Sequence, residues 1–541
     1  MSGHGENDLK NILKNKGYLY MTEFFSGMSV MAVELAASRL MAPYFSSSQI
    51  VYTIIIGTVM IAMALGNVYG GKSADKNPDP AVLYRRILIA GAWIAAIPFL
   101  GRFVIMGISA VLILSVDSGF LITAAFASCM VIFVFPLFLL GTVTPSLVRY
   151  IIENAEESGE ITGKLGAYNT IGSIIGTFLP TFVTIPSVGT AATFIIFSGI
   201  LIVIASAYFL SLKKRPAVLI ISVILFILFS VLGVRSAFAF WDDGISYEGE
   251  SVYNYLQVRD ERDRIILSTN VLFGVQSVKM KSGTVTGMYY DYALTAPAMT
   301  AKEGEPLRIL ILGNGSGTFA TQCVNNFPGC TVVGVEIDKK ITMLAREWFS
   351  LPEDVTVYEY DGRAFLGATD EKYDVIMVDA YQDITIPFQM STVEFFRLVS
   401  SHLEDDGIMV LNMNMHSDGD GSINEYITNT VLRCFEHVYT ADVKWTSNRE
   451  LFASKKDDPA KTLSEVLDNY EGTVLYPILT KVNSALVPAS VTDPERILTD
   501  DRAPVEVLGM KAIDEMISEE LKYYQDMFRE KGIKELIEEL L

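Results

Sequence analysis

Up to about residue 235 the chain is a series of apolar runs near the length of a bilayer crossing; beyond that point the runs become short. A hydrocarbon core takes about 20 helical residues to span, and seven spans are expected, at about 17–41, 49–71, 87–107, 119–144, 165–185, 189–211 and 216–235. Apolar sequence runs on over 87–116 with Arg102 inside it, so an additional span or re-entrant segment has room in that stretch. Gly166, Gly172 and Gly176 suit close helix approach in lipid. Between 250 and 290 the short runs 251–258, 264–267, 276–280 and 284–288 predict a small β-hairpin domain, followed by a helix over 291–300. Further on, apolar strands at 307–312, 331–335, 355–358, 373–378 and 408–413 alternate with helices, the pattern of a parallel, doubly wound α/β sheet. The expected organisation is a multi-pass all-α membrane domain over 1–236, a small β domain over 237–300 and a Rossmann-like α/β domain over 301–541.

Charge sharpens this division. Residues 1–236 carry a net +4 and the remainder a net −24. The acidic half excludes nucleic acid as a partner, because phosphate binding needs a basic surface. It attracts a cationic substrate and equally serves solubility. The basic residues of the short loops fall on one side of the seven spans, which makes that side cytoplasmic and puts the C-terminal half outside. Four cysteines without a paired spacing and four scattered histidines imply neither a disulfide framework nor a metal site. Glu34 and Arg39 sit in the first span, where ionisable groups are costly; Glu34 stands as a structural or a functional residue on equal terms.

The candidate chemistry lies in the α/β half. The strand over 307–312 runs into Gly313-Asn-Gly315-Ser316-Gly317, whose glycines let backbone approach a ligand. Glu336, Asp361 and Asp379 each follow a predicted strand, and ligands bind such sheets beyond the carboxyl ends of the strands. An acid after the second strand can accept hydrogen bonds from two ribose hydroxyls.

These motifs, together with Leu498-Thr-Asp-Asp501, resemble the spermidine synthase (polyamine aminopropyltransferase) family. The whole chain resembles its bacterial membrane-fused form, through Glu34, Arg39-Leu-Met-Ala-Pro43 and Gly70-Gly-Lys-Ser-Ala-Asp75. The resemblance implies a pocket for decarboxylated S-adenosylmethionine or S-adenosylmethionine, with no metal. In it Gly313, Gly315, Ser316 and Gly317 lie against the nucleoside and its sulfonium chain, Glu336 holds the ribose, Asp361 with Gly362 holds the adenine, and Asn254 stands in place of a cosubstrate-binding glutamine. Asp379 matches the catalytic aspartate. Asp383, Tyr289 and Tyr290 fall around the amine substrate, and Tyr381 with Trp445 offers an alternative lining. The implied partners are a polyamine or other small cationic amine and the lipid bilayer, with room for a homodimer.

Ser316 occupies the place of the family aspartate that binds the aminopropyl amine, and the acids Asp379 and Asp383 are spaced more widely than usual. Three functions therefore stand side by side. The first is aminopropyl transfer to a diamine or polyamine with release of methylthioadenosine. The second is S-adenosylmethionine-dependent methyl transfer to a membrane-proximal substrate. The third is transport or sensing with a non-catalytic nucleoside-binding domain. The side of the C-terminal domain stays open too: loop charges favour outside, whereas cosubstrate supply favours the cytoplasm.

Overall fold

The computed structural model describes residues 15–152, 158–234, 244–270, 275–283, 285–381, 386–414, 417 and 419–532. The chain divides into two compact units. The first holds Met1–Asp243, Gly249–Tyr255 and Glu520–Leu541; the second holds Gly244–Glu248 and Leu256–Glu519.

Among the described residues, six helical stretches of the first unit are long and apolar enough to cross a membrane: Lys16–Phe45, Gln49–Lys76, Pro80–Ile113, Phe120–Ile151, Ser158–Ser211 and Ala217–Val234. The apolar stretch over 87–113 belongs to one continuous helix, Pro80–Ile113, which starts with Asp79 accepting from the Ala81 N–H at 2.9 Å and Pro80 at the first helical position. The two spans expected between 165 and 211 share the 54-residue stretch Ser158–Ser211. A π-turn at Pro180–Thr184 and Gly189, at φ +84°, interrupt it. Small residues seat the helices on one another. A side chain at Gly172 or Gly176 would run into the backbone of Phe24 or Met28 on helix Lys16–Phe45. Gly172→Val is expected to lower the melting temperature of the detergent-solubilised protein clearly, because backbone cannot give way as a side-chain tip can. Gly166→Val, with open space around it, serves as the control and is expected to melt like the wild type.

On the same helix, Glu23 accepts from Thr144 Oγ1 at 2.5 Å and Asn169 Nδ2 at 2.7 Å. Glu34 is buried, and Arg39 donates to the Val252 carbonyl.

The second unit carries an eight-stranded sheet and most of a four-stranded one. The smaller sheet runs β1 (Ile245–Glu250), β2 (Tyr255–Asp260), β3 (Arg264–Thr269), β4 (Ser277–Met280). Strand β1 alternates only over Ile245-Ser-Tyr-Glu248, too short a pattern to predict a strand, and the first expected run therefore starts at 251. The described residues of 284–288 form no strand, and helices Tyr289–Ala293 and Thr295–Thr300 follow. The large sheet contains β5 (Arg308–Leu312), β6 (Thr331–Glu336), β7 (Thr356–Glu359), β8 (Tyr373–Val378), β9 (Leu403–Met413), β10 (His437–Asp442), β11 (Arg449–Ser454) and β12 (Val487–Pro488), in the order β12-β10-β11-β9-β8-β5-β6-β7. Strands β5 to β9 are parallel, as the alternating pattern predicts, with Ile309, Leu310, Ile311 and Leu312 buried on both faces. Beyond these five expected strands, β10 and β11 add an antiparallel hairpin beside β9 that the apolar pattern does not predict. The hairpin's turn holds Trp445, fully exposed at φ +70°, so this ring lines no pocket.

Candidate active site

Strand order reverses between β5 and β8, since β6 and β7 extend the sheet one way from β5 and β8 and β9 the other. Such a switch point opens a crevice beyond the strand ends. The glycine turn after β5 and Asp379 after β8 meet there. The Gly313 and Asn314 N–H groups donate to the Val335 carbonyl at 2.9 and 3.1 Å, and the Asp379 N–H donates to the Leu312 carbonyl at 2.9 Å. Gly313, Gly315 and Gly317 sit at φ +90°, +51° and +76°, the left-handed region that suits glycine.

Glu336, at the end of β6, is turned into this loop. Its Oε2 accepts from the Gly315 N–H at 2.9 Å and its Oε1 from the Asp338 N–H at 3.0 Å. Burial pushes its pKa up to about 7 against the pull of those backbone donors. Ser316 is turned inward, its hydroxyl 2.9 Å from Thr318 Oγ1 and its N–H on Ser277 Oγ. Asp361 caps helix Gly362–Ala368, accepting from the Ala364 N–H at 2.8 Å through Oδ1.

Asp379 is held by two side-chain donors. Tyr289 donates to its Oδ2 at 2.6 Å and the Asn412 amide donates to its Oδ1 at 2.8 Å. Burial raises its pKa to about 7; the two donors pull it back and the charge of Glu336 adds to the rise. A carboxylate poised near neutrality is suited to taking a proton from a reacting nitrogen. Tyr290 stacks obliquely on Tyr289, ring centroids 4.0 Å apart, and donates to the Gln276 carbonyl at 2.9 Å. Tyr381 donates to the Asn412 carbonyl and accepts from the Asn414 N–H at 3.1 Å, so its hydroxyl latches β8 to β9 rather than standing free for a ligand.

The crevice therefore brings together Gly313, Gly315, Gly317, Glu336, Asp379, Tyr289, Tyr290 and Tyr381, with Asp361 and Gly362 at the end of β7. Asn254 belongs to the first unit, in the turn before β2, where its N–H donates to Ser251 Oγ at 2.8 Å. Asp383 lies outside the described residues. Sequence reasoning missed Asn412 and Asn448, whose amide donates to Asn412 Oδ1 at 2.9 Å and so turns the Asn412 amide toward Asp379. The available signal was Asn412 itself, a polar residue inside the otherwise apolar run of β9.

The spermine/spermidine synthase domain family matches residues 288–445, the stretch from Tyr289 through Asp379 to the β10–β11 turn. A probable polyamine aminopropyl transferase of Bifidobacterium longum is 47% identical over 348 residues, covering 61% of this chain and 77% of its own. The polyamine aminopropyltransferase of Vibrio vulnificus is 24% identical over 298 residues, covering 53% of this chain and 98% of its own. Among solved structures, a probable spermidine synthase from Corynebacterium glutamicum aligns with a TM-score of 0.37 and 23% identity over 42% of this chain and 88% of that one.

Proposed function

Because the chain belongs to the polyamine aminopropyltransferase family, and is thus a transferase, we propose that it is a membrane-bound enzyme that moves the aminopropyl group of decarboxylated S-adenosylmethionine to a diamine or polyamine. The observation that carries this reading is Asp379, held by Tyr289 and Asn412 at the strand switch point beside the glycine turn. An ammonium has no lone pair, so the acceptor amine first gives a proton to Asp379. Its nitrogen then attacks the aminopropyl carbon bonded to sulfur. The C–N bond forms as the C–S bond breaks, and the electron pair stays on sulfur, leaving neutral methylthioadenosine. In-line positioning supplies much of the rate.

The glycine turn and Glu336 are proposed to hold the nucleoside, with Asp361 and Gly362 beside the adenine. Asp383 is proposed to complete the amine site. The apolar helices of the first unit are proposed to place the enzyme in the cell membrane, with Glu34 and Arg39 inside it. Purified protein incubated with decarboxylated S-adenosylmethionine and a polyamine panel is expected to yield methylthioadenosine by mass spectrometry; absence of that product with every acceptor rejects the assignment.

One observation favours a second reading. The inward-turned Ser316 hydroxyl offers no carboxylate to an aminopropyl ammonium, which suits S-adenosylmethionine and methyl transfer. The same assay with that donor separates the two, since S-adenosylhomocysteine then appears.

Glu336→Gln tests the nucleoside site. The variant loses an anionic acceptor for the ribose and for the Gly315 N–H. The donor KM is expected to rise by about tenfold to a hundredfold, in line with one charge-assisted hydrogen bond of about 1.5–3 kcal/mol. The kcat at saturating donor should change little, and an unchanged donor KM removes Glu336 from the site.

A further inference from the structure

Glu450 on β11 lies directly opposite Asn412 on β9. Opposed residues of an antiparallel pair share a face, with Cβ atoms about 5 Å apart. Asn412 points its amide at Asp379, so Glu450 lies on the same face of the sheet, within reach of the Asp379 charge. Its neighbour Arg449 turns to the other face and pairs with Asp442 at 2.5 Å. The Glu450 side chain is 0% exposed, and neither carboxyl oxygen has a hydrogen-bond partner among the described residues. Helix Tyr289–Ala293, which carries Tyr289, packs against the same strand.

A buried, unpaired carboxyl is destabilising, and an apolar side chain of similar size would suit the sheet interior better. Its neighbours make it costlier still. Burial and the Asp379 charge hold its pKa well above the ordinary carboxylate range. Two carboxyls on one face of the sheet, the first held by donors and the second without any, match a ligand with two basic nitrogens. On the reading that the acceptor is an amine, the geometry points to Glu450 as a specificity residue that receives the second, unreacting ammonium of a short diamine while Asp379 takes the proton from the first. As that ammonium docks, the Glu450 proton leaves to solvent and an ion pair forms in its place. Monoamines are thereby disfavoured as acceptors, because they leave the buried carboxyl unpaired.

The test is calorimetric titration of the full-length protein in detergent, saturated with methylthioadenosine, with 1,4-diaminobutane and 1-aminobutane. The wild type is expected to prefer the diamine at least tenfold. Glu450→Gln is expected to bind the two amines alike while keeping its affinity for methylthioadenosine, which also reports that it is folded. Glu450→Asp keeps the charge and is expected to keep a preference. A wild type without preference, or a Glu450→Gln protein that retains it, overturns the assignment. Turnover is scored separately by methylthioadenosine release from the donor, so failure of the transferase reading shows up there and not in the amine titrations.

Discussion

Asparagine in place of Asp379 is expected to lower kcat by a factor of about 10²–10⁴, the range a positioned general base contributes. The substitution keeps size and shape but removes the basic oxygen. It also sets the new amide nitrogen toward either the Tyr289 hydroxyl or the Asn412 amide, each of which donates to the carboxylate in the native arrangement. The donor KM should stay near the wild-type value, because the glycine turn and Glu336 are untouched.

The pH profile separates a base from a merely structural acid. Burial, first of all, brings the Asp379 pKa up to about 7. The reactive form is the carboxylate, so the wild-type rate is expected to climb as pH rises through about 7 and to level off above it. The asparagine variant should lack that limb. Stability moves the opposite way. The folded protein holds a proton on Asp379 that the unfolded chain, with an ordinary aspartate pKa near 4, has already lost, so its contribution to stability is full below about pH 4 and is lost as pH rises through about 7. The variant escapes this loss and is expected to melt higher than the wild type at pH 8, measured by thermal denaturation in detergent. A variant that turns over normally sinks the assignment of Asp379 as base.

Sequence pattern reached the proposed nucleoside side of the crevice because that side is built from local features. Glu336 and Asp379 each sit where an apolar run stops, Asp361 follows the next expected strand, and the three glycines fall at every second position of one short turn. The proposed amine side is built across strands far apart in the chain. Asn412 and Asn448 act as a relay only because β9 and β11 pair in one register, and no spacing within either strand announces it. Glu450 is hidden for the same reason: flanked by Arg449 and Leu451, it reads as an exposed position until the pairing puts it inside the sheet. The central parallel strands β5 and β8 were legible as continuous apolar runs, whereas β10 and β12 are partly exposed and carry mixed residues. In the helical unit, length and apolarity located the stretches, but the interruption at Gly189 depends on backbone geometry that composition does not carry.

Gly313→Ala is expected to be the most damaging single-methyl change in the second unit. At φ +90° an L-residue is already strained. The added Cβ would stand 2.5 Å from the Asp379 carbonyl oxygen, 2.6 Å from Ala380 Cα and 2.7 Å from Ala380 N. All three are backbone atoms at the mouth of the β5–β8 pair, so relief requires the two strand ends to part. The combined strain and overpacking amount to about 2–4 kcal/mol. The same displacement carries Asp379 away from Tyr289 and from the attacking nitrogen, and a shift near 1 Å costs about 10²-fold in rate. Gly315→Ala supplies the comparison. Its Cβ would approach only the Ser277 hydroxyl oxygen, at 3.1 Å, the tip of a side chain that can rotate. At φ +51° its strain is that of an ordinary left-handed residue, about 1–2 kcal/mol. Thermal melts and methylthioadenosine titrations of the two variants should therefore rank Gly313→Ala well below Gly315→Ala in both stability and affinity. Equal behaviour would mean that the backbone of the glycine turn and the Asp379 strand end are not in the close contact on which the proposed in-line geometry depends.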